Sequence, residues 1–410
     1  MDKTTQFKIL KELFRQLDNN VNVDAGIQLR NPTSSYTCSD LAGKKWKTFF
    51  REHPQLIGLS SDLPEPGTYI TSEDFGVPVL ATRAEDGRFR AFINACRHRG
   101  VKVAPEARGE SARFQCPFHN WTYSSKGELL GIPRMRDFGA LDRACHGLIE
   151  LPAEERYGLL YVHPQPDGRL NIDELLGELA GEIESWHIGG FIYMGQSAID
   201  KALNWKLAND TFGETYHFPR LHKNTLGQLF YGDALAYETF GRNHRFVFPA
   251  KTIDYLREKP EQEWSIARVA NVLYYLFPNI QLNIGPRSLS LIRIYPDGEN
   301  PGRSITRIGH YFSQYDIDAA KEKDRIRIDA GNVYDATSRE GKVSFSLEAS
   351  MEVFDSTVEQ EDYAMGETTQ RAAASGALQH VIFGRNEPAL HHYHNTFREA
   401  LGMAPLEQAS

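Results

Sequence analysis

Two short stretches of similar composition decide how this chain folds around a metal centre: CRHRG, starting at Cys96, and CPFHNWTY, starting at Cys116. Each stretch supplies one cysteine and one histidine, which are Cys96 with His98 and Cys116 with His119. Thiolates and imidazoles are side chains that bind soft and borderline metals in proteins. The two stretches therefore predict one metal centre held between two loops.

Two cysteines and two histidines form the ligand set of a Rieske [2Fe-2S] cluster, in which the cysteines hold one iron and the histidines hold the other. We therefore predict that Cys96, His98, Cys116 and His119 bind such a cluster. A structural zinc site is the alternative, because the same ligands also satisfy tetrahedral zinc. Zinc fingers usually pair Cys with Cys and His with His, whereas each stretch here contributes one of each.

A second candidate centre lies in the segment NWKLANDTFGETYHFPRLH at residues 204–222. If residues 205–216 are helical, Asp210, Glu214 and His217 lie on one face, because residues three and four apart are neighbours on a helix. Asp210 is then a candidate for orienting a histidine ligand, as metal-bound imidazoles usually require. It could equally be a buried structural acid.

Pro219 would stop this helix, because proline cannot continue the helical hydrogen bonding. The break falls between His217 and His222, so the second imidazole can turn back toward the first. Two histidines and one carboxylate form the facial triad of non-haem Fe(II) oxygenases, which leaves coordination positions open for oxygen. The carboxylate can come from a distant part of the chain.

The two cysteine-containing stretches closely resemble the cluster loops of Rieske non-haem iron oxygenases, and the resemblance extends roughly from Cys38 to the C-terminus. In that family the second loop usually has Tyr and Gly where this chain has Phe118 and Asn120. Asparagine tolerates a left-handed backbone better than most residues other than glycine, so the loop can still close. The missing hydroxyl at Phe118 is expected to change the reduction potential without removing a ligand.

The stretch VEQEDYAMGETTQR near the C-terminus resembles the helix on which this family carries its aspartate ligand. Asp362 matches that position, so the resemblance implies that His217, His222 and Asp362 bind a mononuclear non-haem Fe(II). The nearest competing carboxylates are Glu361 and Glu359. A solvated helix face is the structural alternative for this acidic run.

Glu214 stands three residues before the first histidine ligand, where the family usually has an aspartate that links the cluster of one subunit to the iron of its neighbour. The resemblance therefore implies a role for Glu214 in electron transfer between subunits of a cyclic homotrimer. A glutamate at this position is also found in family members that oxidise quaternary ammonium compounds such as carnitine. An ordinary surface glutamate is the alternative.

The composition is that of a soluble globular protein: 410 residues, 41% hydrophobic and 24% charged, with a net charge of −8. The absence of a strongly basic tract argues against a nucleic-acid partner. No run of 18 apolar residues and no signal-peptide pattern occurs, so we expect a cytoplasmic protein without membrane association. The four cysteines, two of them assigned to iron, are too few for a disulfide framework.

Apolar residues at helical spacing predict an N-terminal helix, and short β-like runs around the cluster loops predict a small all-β domain. Longer β-like runs at residues 272–284, 288–295 and 304–312, with helices from about Leu347, predict an α+β domain. The resemblance implies a helix-grip-like antiparallel sheet there. The expected α+β organisation is an N-terminal helical segment at 1–37, a Rieske domain at 38–165 and a catalytic mononuclear-iron domain at 170–410.

The resemblance implies an oxidoreductase that uses O₂ and electrons from a separate NAD(P)H-dependent reductase, with or without a ferredoxin, because the chain has no flavin, nicotinamide or ferredoxin fingerprint of its own. The expected reaction is hydroxylation or dihydroxylation of a small aromatic substrate. The alternatives are monooxygenation of a quaternary ammonium or N- or O-methyl compound, and a Rieske electron carrier without oxygenase activity. The aromatic residues considered for a substrate pocket are Phe218, Phe230, Tyr231, Phe240, Phe246, Phe248, Tyr274, Tyr275 and Phe277.

Overall fold

The structure, a computed structural model, describes residues 1–285, 288–329 and 346–409. Its α-helices are α1 (Lys3–Asn19), α2 (Ser34–Thr37), α3 (Ser39–Lys45), α4 (Ile172–Leu176), α5 (Ala180–Glu184), α6 (Trp205–Asp210), α7 (Gln314–Asp329), α8 (Leu347–Thr357), α9 (Tyr363–Ala374) and α10 (Pro388–Ala400). Its strands are β1 (Leu29–Pro32), β2 (Gln55–Leu59), β3 (Thr68–Ser72), β4 (Val79–Arg83), β5 (Phe89–Ile93), β6 (Arg108–Glu110), β7 (Arg113–Gln115), β8 (Thr122–Ser124), β9 (Leu129–Gly131), β10 (Glu150–Leu151), β11 (Ala153–Arg156), β12 (Leu159–Val162), β13 (Ile192–Lys201), β14 (Ala236–Phe240), β15 (Asn243–Pro249), β16 (Ala270–Leu276), β17 (Ile280–Ile284), β18 (Ser288–Asp297), β19 (Asn300–Phe312), β20 (His380–Phe383) and β21 (Glu407–Gln408). The chain divides into two compact units.

The smaller unit comprises Asp40–Gly190 with Asp297–Asn300. Its strands form small antiparallel sheets, of which the largest has the order β10-β5-β4-β3-β6 and a second has the order β7-β8-β9. The loop after β5 carries the first cysteine stretch, and the β7–β8 hairpin carries the second. Cys96, Cys116, Trp121 and Tyr123 all belong to the buried core beneath these loops.

The larger unit comprises Met1–Ser39, Phe191–Pro296 and Pro301–Ser410. Its centre is an antiparallel seven-stranded sheet with the order β13-β19-β18-β17-β16-β15-β14. Helix α1 belongs to this unit. It buries Leu10, Leu13 and Phe14, as expected for an amphipathic helix. The N-terminal helix of the sequence analysis is therefore present, and the α+β fold class is confirmed.

The helix expected over residues 205–216 is wrong in its length, because α6 ends at Asp210. The chain then tightens into turns in which the Phe212 and Gly213 N–H groups bond to carbonyls three residues earlier. A Cβ atom at Gly213 would lie 2.3 Å from Leu390 Cδ2, so this turn needs glycine where the backbone approaches α10. The premise that one continuous helix aligns Asp210, Glu214 and His217 therefore does not hold.

The β-like run at residues 272–284 is two strands rather than one, β16 and β17. Pro278 cannot donate to a sheet ladder and lies in the turn between them. The Phe277 N–H instead donates to Asn243 Oδ1 at 2.9 Å, and the Tyr275 hydroxyl donates to the Pro278 carbonyl at 2.7 Å. Side chains replace the ladder bonds that the turn removes.

Across the part of the chain that the structure describes, every helix is too short or too polar to span a bilayer.

Candidate metal centres

The two cysteine stretches form loops with the same backbone closure. The Cys96 N–H bonds to the Val101 carbonyl at 2.8 Å, and the Cys116 N–H bonds to the Trp121 carbonyl at 2.9 Å. Asn120 has φ = 58°, which confirms that asparagine adopts the left-handed backbone where the family usually has glycine. Each loop therefore presents its cysteine and its histidine from a rigid turn.

The four predicted cluster ligands have the free donor atoms that a [2Fe-2S] cluster requires. Cys96 and Cys116 are buried free thiols. The rings of His98 and His119 have centroids 4.6 Å apart, and the Nδ1 atom of each ring is buried without a hydrogen-bond partner among the described residues. Buried polar atoms are rarely left unpaired in proteins, so two unpaired imidazole nitrogens beside two thiols fit the ligation of a Rieske cluster.

Aromatic side chains hold this centre in place. The indole of Trp121 stacks on His98, with ring centroids 5.1 Å apart and planes 8° apart. Phe118, at the position of the missing hydroxyl, is 51% exposed, and its ring lies 5.0 Å from the Arg99 guanidinium. Phe118 therefore forms part of the surface of the loop and offers no hydrogen bond to the cluster.

Tyr123 supplies a hydrogen bond to this centre, whereas Phe118 has no hydroxyl group that could do so. Its oxygen accepts the Arg97 N–H at 2.9 Å and lies 3.3 Å from Cys96 Sγ. Burial raises the pKa of Tyr123, so the hydroxyl keeps its proton and can donate it to the sulfur. Hydrogen bonds to cluster sulfurs are among the features that set the reduction potential.

Tyr123→Phe is expected to lower the reduction potential of the cluster, because the more negative reduced cluster loses the greater stabilisation. A difference of ~1.4 kcal/mol, near the upper end of the net contribution of one hydrogen bond, corresponds to ~60 mV for one electron. Redox titration followed by EPR measures the shift. Tyr157→Phe is the control, since Tyr157 bonds to Asp173 at 2.7 Å in the same unit. Equal potentials in both variants would contradict the role of Tyr123.

The second centre is built from turns that follow α6. His217 Nε2 and His222 Nε2 lie 3.1 Å apart, and Asp362 Oδ1 lies 3.3 Å from the first nitrogen and 3.1 Å from the second. Metal–ligand bonds of ~2.1 Å at roughly right angles place neighbouring ligand atoms ~3 Å apart. The three side chains thus form a ligand triangle that suits one face of a metal ion.

Two further carboxylates hold the opposite nitrogens of the imidazoles. Glu214 contacts Nδ1 of His217 with one oxygen and accepts the His217 backbone N–H at 3.1 Å with the other. Glu361 Oε2 lies 2.7 Å from Nδ1 of His222 and accepts the Thr225 hydroxyl at 3.1 Å. With each Nδ1 proton bonded to a carboxylate, both Nε2 atoms face Asp362 as potential ligands.

The charges in this centre favour a bound cation. Burial opposes a positive charge on His217, but the hydrogen bonds and charges of Asp362 and Glu214 outweigh it and raise the pKa of His217 to about 9. In the same way, burial opposes the charge of Asp362, yet the two histidines hold the pKa of that carboxyl below its usual value. A metal ion bound at Nε2 would displace the proton, and the same carboxylates would stabilise its positive charge.

A π-turn at Val358–Asp362 joins α8 to α9 and brings consecutive residues to the same centre. Neighbouring residues on a regular α-helix do not face one partner. The wider π-turn lets Glu361 reach Nδ1 of His222 while Asp362 reaches Nε2 of the same ring. Glu359, the other competing carboxylate, instead pairs with Lys201 at 3.1 Å.

Asp210 lies in a different hydrogen-bond network. Its carboxylate accepts the Tyr36 hydroxyl at 2.7 Å and lies 2.9 Å from His394 Nε2. The structure therefore places Glu214 and Glu361, rather than Asp210, on the imidazoles of the ligand triangle. The sequence carries no local signal for His394 or Tyr36, which come from opposite ends of the chain.

Glu361→Ala is expected to reduce iron affinity about 10- to 100-fold, the usual cost of losing a group that orients a metal-bound histidine. Glu361→Gln should recover part of the loss, since an amide oxygen still accepts the Nδ1 proton. Competition with an iron chelator measures the affinity. Glu359→Ala is the matched control from the same turn, because it removes only the pair with Lys201. Equal affinity in the two alanine variants would show that Glu361 does not position His222.

A cavity of 220 Å³ adjoins the ligand triangle and shares His217, His222 and Asp362 with it. Of the nine aromatic residues considered from the sequence, four line this cavity: Phe218, Phe230, Phe246 and Phe248. Three phenylalanines were missed: Phe212, Phe312 and Phe354. No lysine or arginine lines the cavity within the described ranges. Phenyl rings are therefore the commonest side chain in its walls, and the carboxylates belong to the metal end.

Comparison with known proteins agrees with this arrangement. Residues 189–403, more than half of the chain, match the family described as ring hydroxylating alpha subunit (catalytic domain), and residues 53–148 match the Rieske [2Fe-2S] domain. The glycine betaine monooxygenase oxygenase subunit of Chromohalobacter salexigens is 32% identical over 43% of this chain and 40% of its own length. The large oxygenase component of the naphthalene 1,2-dioxygenase system of Ralstonia sp. is 32% identical over 44% of this chain and 42% of its own length. The matched segments thus span well under half of these relatives.

Solved structures share the fold over nearly the whole chain. The quaternary ammonium Rieske monooxygenase CntA in complex with L-carnitine aligns with a TM-score of 0.72 and 17% identity, covering 93% of this chain and 97% of that chain. Naphthalene 1,2-dioxygenase from Rhodococcus sp. bound to indole aligns with a TM-score of 0.68 and 17% identity, covering 97% and 99%.

The resemblance to Rieske non-haem iron oxygenases is confirmed, and with it the cofactors of that family, a [2Fe-2S] cluster and a mononuclear iron. The Rieske match also resolves the choice between a cluster and structural zinc in favour of the cluster. The chain belongs to the family of ring-hydroxylating alpha subunits, with a Rieske [2Fe-2S] domain preceding its catalytic domain.

Proposed function

We propose that this chain is the oxygenase component of a multicomponent Rieske oxygenase that hydroxylates or dihydroxylates a small aromatic substrate. Electrons come from a separate NAD(P)H-dependent reductase, with or without a ferredoxin. The observation that carries the proposal is the phenyl-lined cavity that shares three side chains with the ligand triangle. A flat apolar ring would be desolvated there directly beside the iron ligands.

Each residue of the two centres then has a definite task. The proposed cluster ligands are Cys96, His98, Cys116 and His119, and the proposed iron ligands are His217, His222 and Asp362. When bound, the cluster supplies electrons and the mononuclear iron supplies the activation of O₂. Glu214 and Glu361 hold the Nδ1 protons of the iron-binding histidines, which keeps their Nε2 atoms directed at one point.

The walls of the cavity position the substrate and exclude water. Phe218, Phe230 and Phe248 pack edge to face, with centroids 5.5 Å apart for the first and third and 5.2 Å apart for the second and third. Such rings favour edge and face contacts with another aromatic ring. The phenyl rings would hold a substrate ring by shape, and the polar groups elsewhere in the cavity would set its orientation.

Monooxygenation of a quaternary ammonium compound is the second candidate, and Glu214 favours it. Phenyl faces also attract a cation, and Glu214 and Asp362 add negative charge at the metal end of the cavity. A substrate that also carries a carboxylate would need a cationic partner, and the described lining offers none. The aromatic substrate therefore remains the first candidate. A Rieske electron carrier without oxygenase activity is the third.

The proposed assembly is a cyclic homotrimer in which electrons pass between subunits. The cluster ligands belong to one unit of the chain and the iron ligands to the other. In such a ring, Glu214 would bridge His98 or His119 of one subunit to His217 or His222 of its neighbour. Head-to-tail contacts close into rings when the rotation between subunits permits it.

Product analysis tests the proposed function. The iron-loaded protein, a reductase and O₂ are incubated with aromatic acids, polycyclic arenes and quaternary amines, and the products are identified by mass spectrometry with ¹⁸O₂. Labelled hydroxyarenes or dihydrodiols would support the proposal. Labelled products from the quaternary amines alone would establish the second candidate, and reduction of the cluster without any labelled product would establish the third.

A further inference from the structure

We propose that four polar side chains in the cavity, Asn271, Asn283, Ser290 and His310, select a substrate that carries a neutral hydrogen-bond donor, an O–H or N–H group on its aromatic body. We call these four residues the polar row. The inference rests on the proposed function, because it names the substrate class of the same cavity. It goes further by assigning specificity to residues outside the ligand triangle.

The polar row crosses four neighbouring strands of the central sheet. Asn271 lies on β16, Asn283 on β17, Ser290 on β18 and His310 on β19, and all four line the cavity. Asn283 and Ser290 are direct cross-strand partners. The four residues are between 3% and 8% exposed, so water does not solvate them freely.

Three neighbouring positions on the same sheet face are apolar. Side chains two residues apart on a strand point to the same face. Two residues beyond Asn271, Ser290 and His310 lie Leu273, Ile292 and Phe312, which also line the cavity. Along each of these three strands, the cavity lining thus changes from polar to apolar within two residues. A cavity that binds only hydrocarbons would not require such polar positions.

Asn271 contributes an unpaired acceptor. Its Nδ2 donates to Asn283 Oδ1 at 3.3 Å. Asn271 Oδ1 is buried without a hydrogen-bond partner in the described part of the chain. A Cβ atom at Gly285 would lie 3.1 Å from this oxygen, so the glycine leaves the space beside it open. Buried acceptors are rarely left unpaired, and a donor on a ligand would satisfy this one.

His310 and Ser290 add a second acceptor. Asp355 Oδ1 lies 2.8 Å from His310 Nε2 and accepts its proton, which leaves Nδ1 as the acceptor on the side of Ser290. Ser290 Oγ lies 3.5 Å from that Nδ1, at the limit of a long hydrogen bond in which the hydroxyl would donate. The serine oxygen then keeps lone pairs for a ligand. Within the described lining, two acceptors and no cationic side chain select a neutral donor over a carboxylate.

The helix above the sheet sets the distance between the polar row and the ligand triangle. Asp355, which holds His310, and Asp362 are seven residues apart on the run of α8 and the π-turn. At about 1.5 Å per residue the separation is ~10 Å along the helix axis. Phe354 and Val358 line the cavity on this stretch. A substrate whose donor group binds the polar row would therefore need one or two fused rings to span the distance to the iron ligands.

The test compares pairs of ligands in which the hydrogen-bond donor of one member is methylated in the other. Indole and 1-methylindole form one pair, and 2-naphthol and 2-methoxynaphthalene form another. Dissociation constants are measured by anaerobic calorimetry on the iron-loaded full-length protein. The wild type should bind the donor-bearing member of each pair about fivefold to tenfold more tightly, the contribution of one net hydrogen bond.

Variants locate the preference. Asn271→Leu keeps the branched shape of the side chain and should reduce the preference to less than about twofold, and Ser290→Ala should reduce it in part. Ser304→Ala is the matched control, because Ser304 is an equally buried serine on the adjacent strand β19 that does not line the cavity. It should keep the full preference. Circular dichroism and iron content check each variant, and Ser290→Ala carries the test if Asn271→Leu does not fold.

The outcomes separate this inference from the proposed function. A preference that is lost in Asn271→Leu or Ser290→Ala and kept in Ser304→Ala supports the polar row. Equal binding of both members of each pair by the wild type, or a preference that survives both cavity variants, overturns the polar row and leaves an aromatic substrate standing. Binding of a quaternary amine with no binding of any arene overturns both.

Discussion

Asp362→Ala is expected to reduce oxygenation to below about 1% of the wild-type rate while the cluster keeps its EPR signal. Even residues that only orient a metal ligand cost 10- to 100-fold when they are removed, so loss of a direct ligand should cost more. Asp362 is also the one carboxylate that lies within 3.3 Å of Nε2 of both histidines in the described chain. His217→Ala and His222→Ala should likewise lose the mononuclear iron and the activity while they keep the cluster.

The control for this prediction is Glu359→Ala, which removes a carboxylate from the same π-turn without touching either histidine. Iron and acid-labile sulfide are determined on each purified variant, together with turnover and the EPR spectrum. Near-normal turnover and iron content in Asp362→Ala would mean that the carboxylate ligand is another residue. Glu361 would then be the next candidate, since it already contacts His222.

Co-expression of two inactive variants should restore activity. His98→Ala removes a proposed cluster ligand, and His217→Ala removes a proposed iron ligand, so each variant alone should have no turnover. In mixed rings, an intact cluster of one subunit would lie beside an intact iron site of its neighbour. In each mixed trimer, roughly one third of the interfaces would combine the two intact sites.

The two variants carry different affinity tags, and tandem purification isolates the mixed rings before turnover is measured. Separately purified variants that are combined without exchange of subunits are the control and should remain inactive. Glu214→Gln should slow turnover in otherwise wild-type rings while both metals remain bound. Mixed rings that form and remain inactive would show that electrons move within one chain.

The fold could be predicted where the sequence pattern is local. The spacing of Leu10, Leu13 and Phe14 predicted α1, and two β-like runs predicted β18 and most of β19, whereas β13 and β15 were not predicted. The pattern failed where a tertiary contact overrides it. Gly213, which lies against Leu390, belongs to a turn rather than to the helix that the spacing suggested.

The candidate sites divide in the same way. Cysteine and histidine spacing, together with the family resemblance, pointed to residues that the structure brings together in two centres. The contact of Glu361 with His222 could not be predicted, because it depends on a departure from α-helical periodicity. The polar row was equally hidden, since each of its members lies on a different strand. Only the pairing of those strands makes them neighbours.

The π-turn at Val358–Asp362 also constrains the length of the chain at this point. It holds one residue more than a regular helical turn, and removing that residue would rotate the following helix by about 100°. Either Glu361 or Asp362 would then turn away from the histidines, although both side chains would still be present in the sequence. A single-residue deletion here should therefore be as harmful as loss of the ligand itself, and alignments of related chains should place no gap within these five positions.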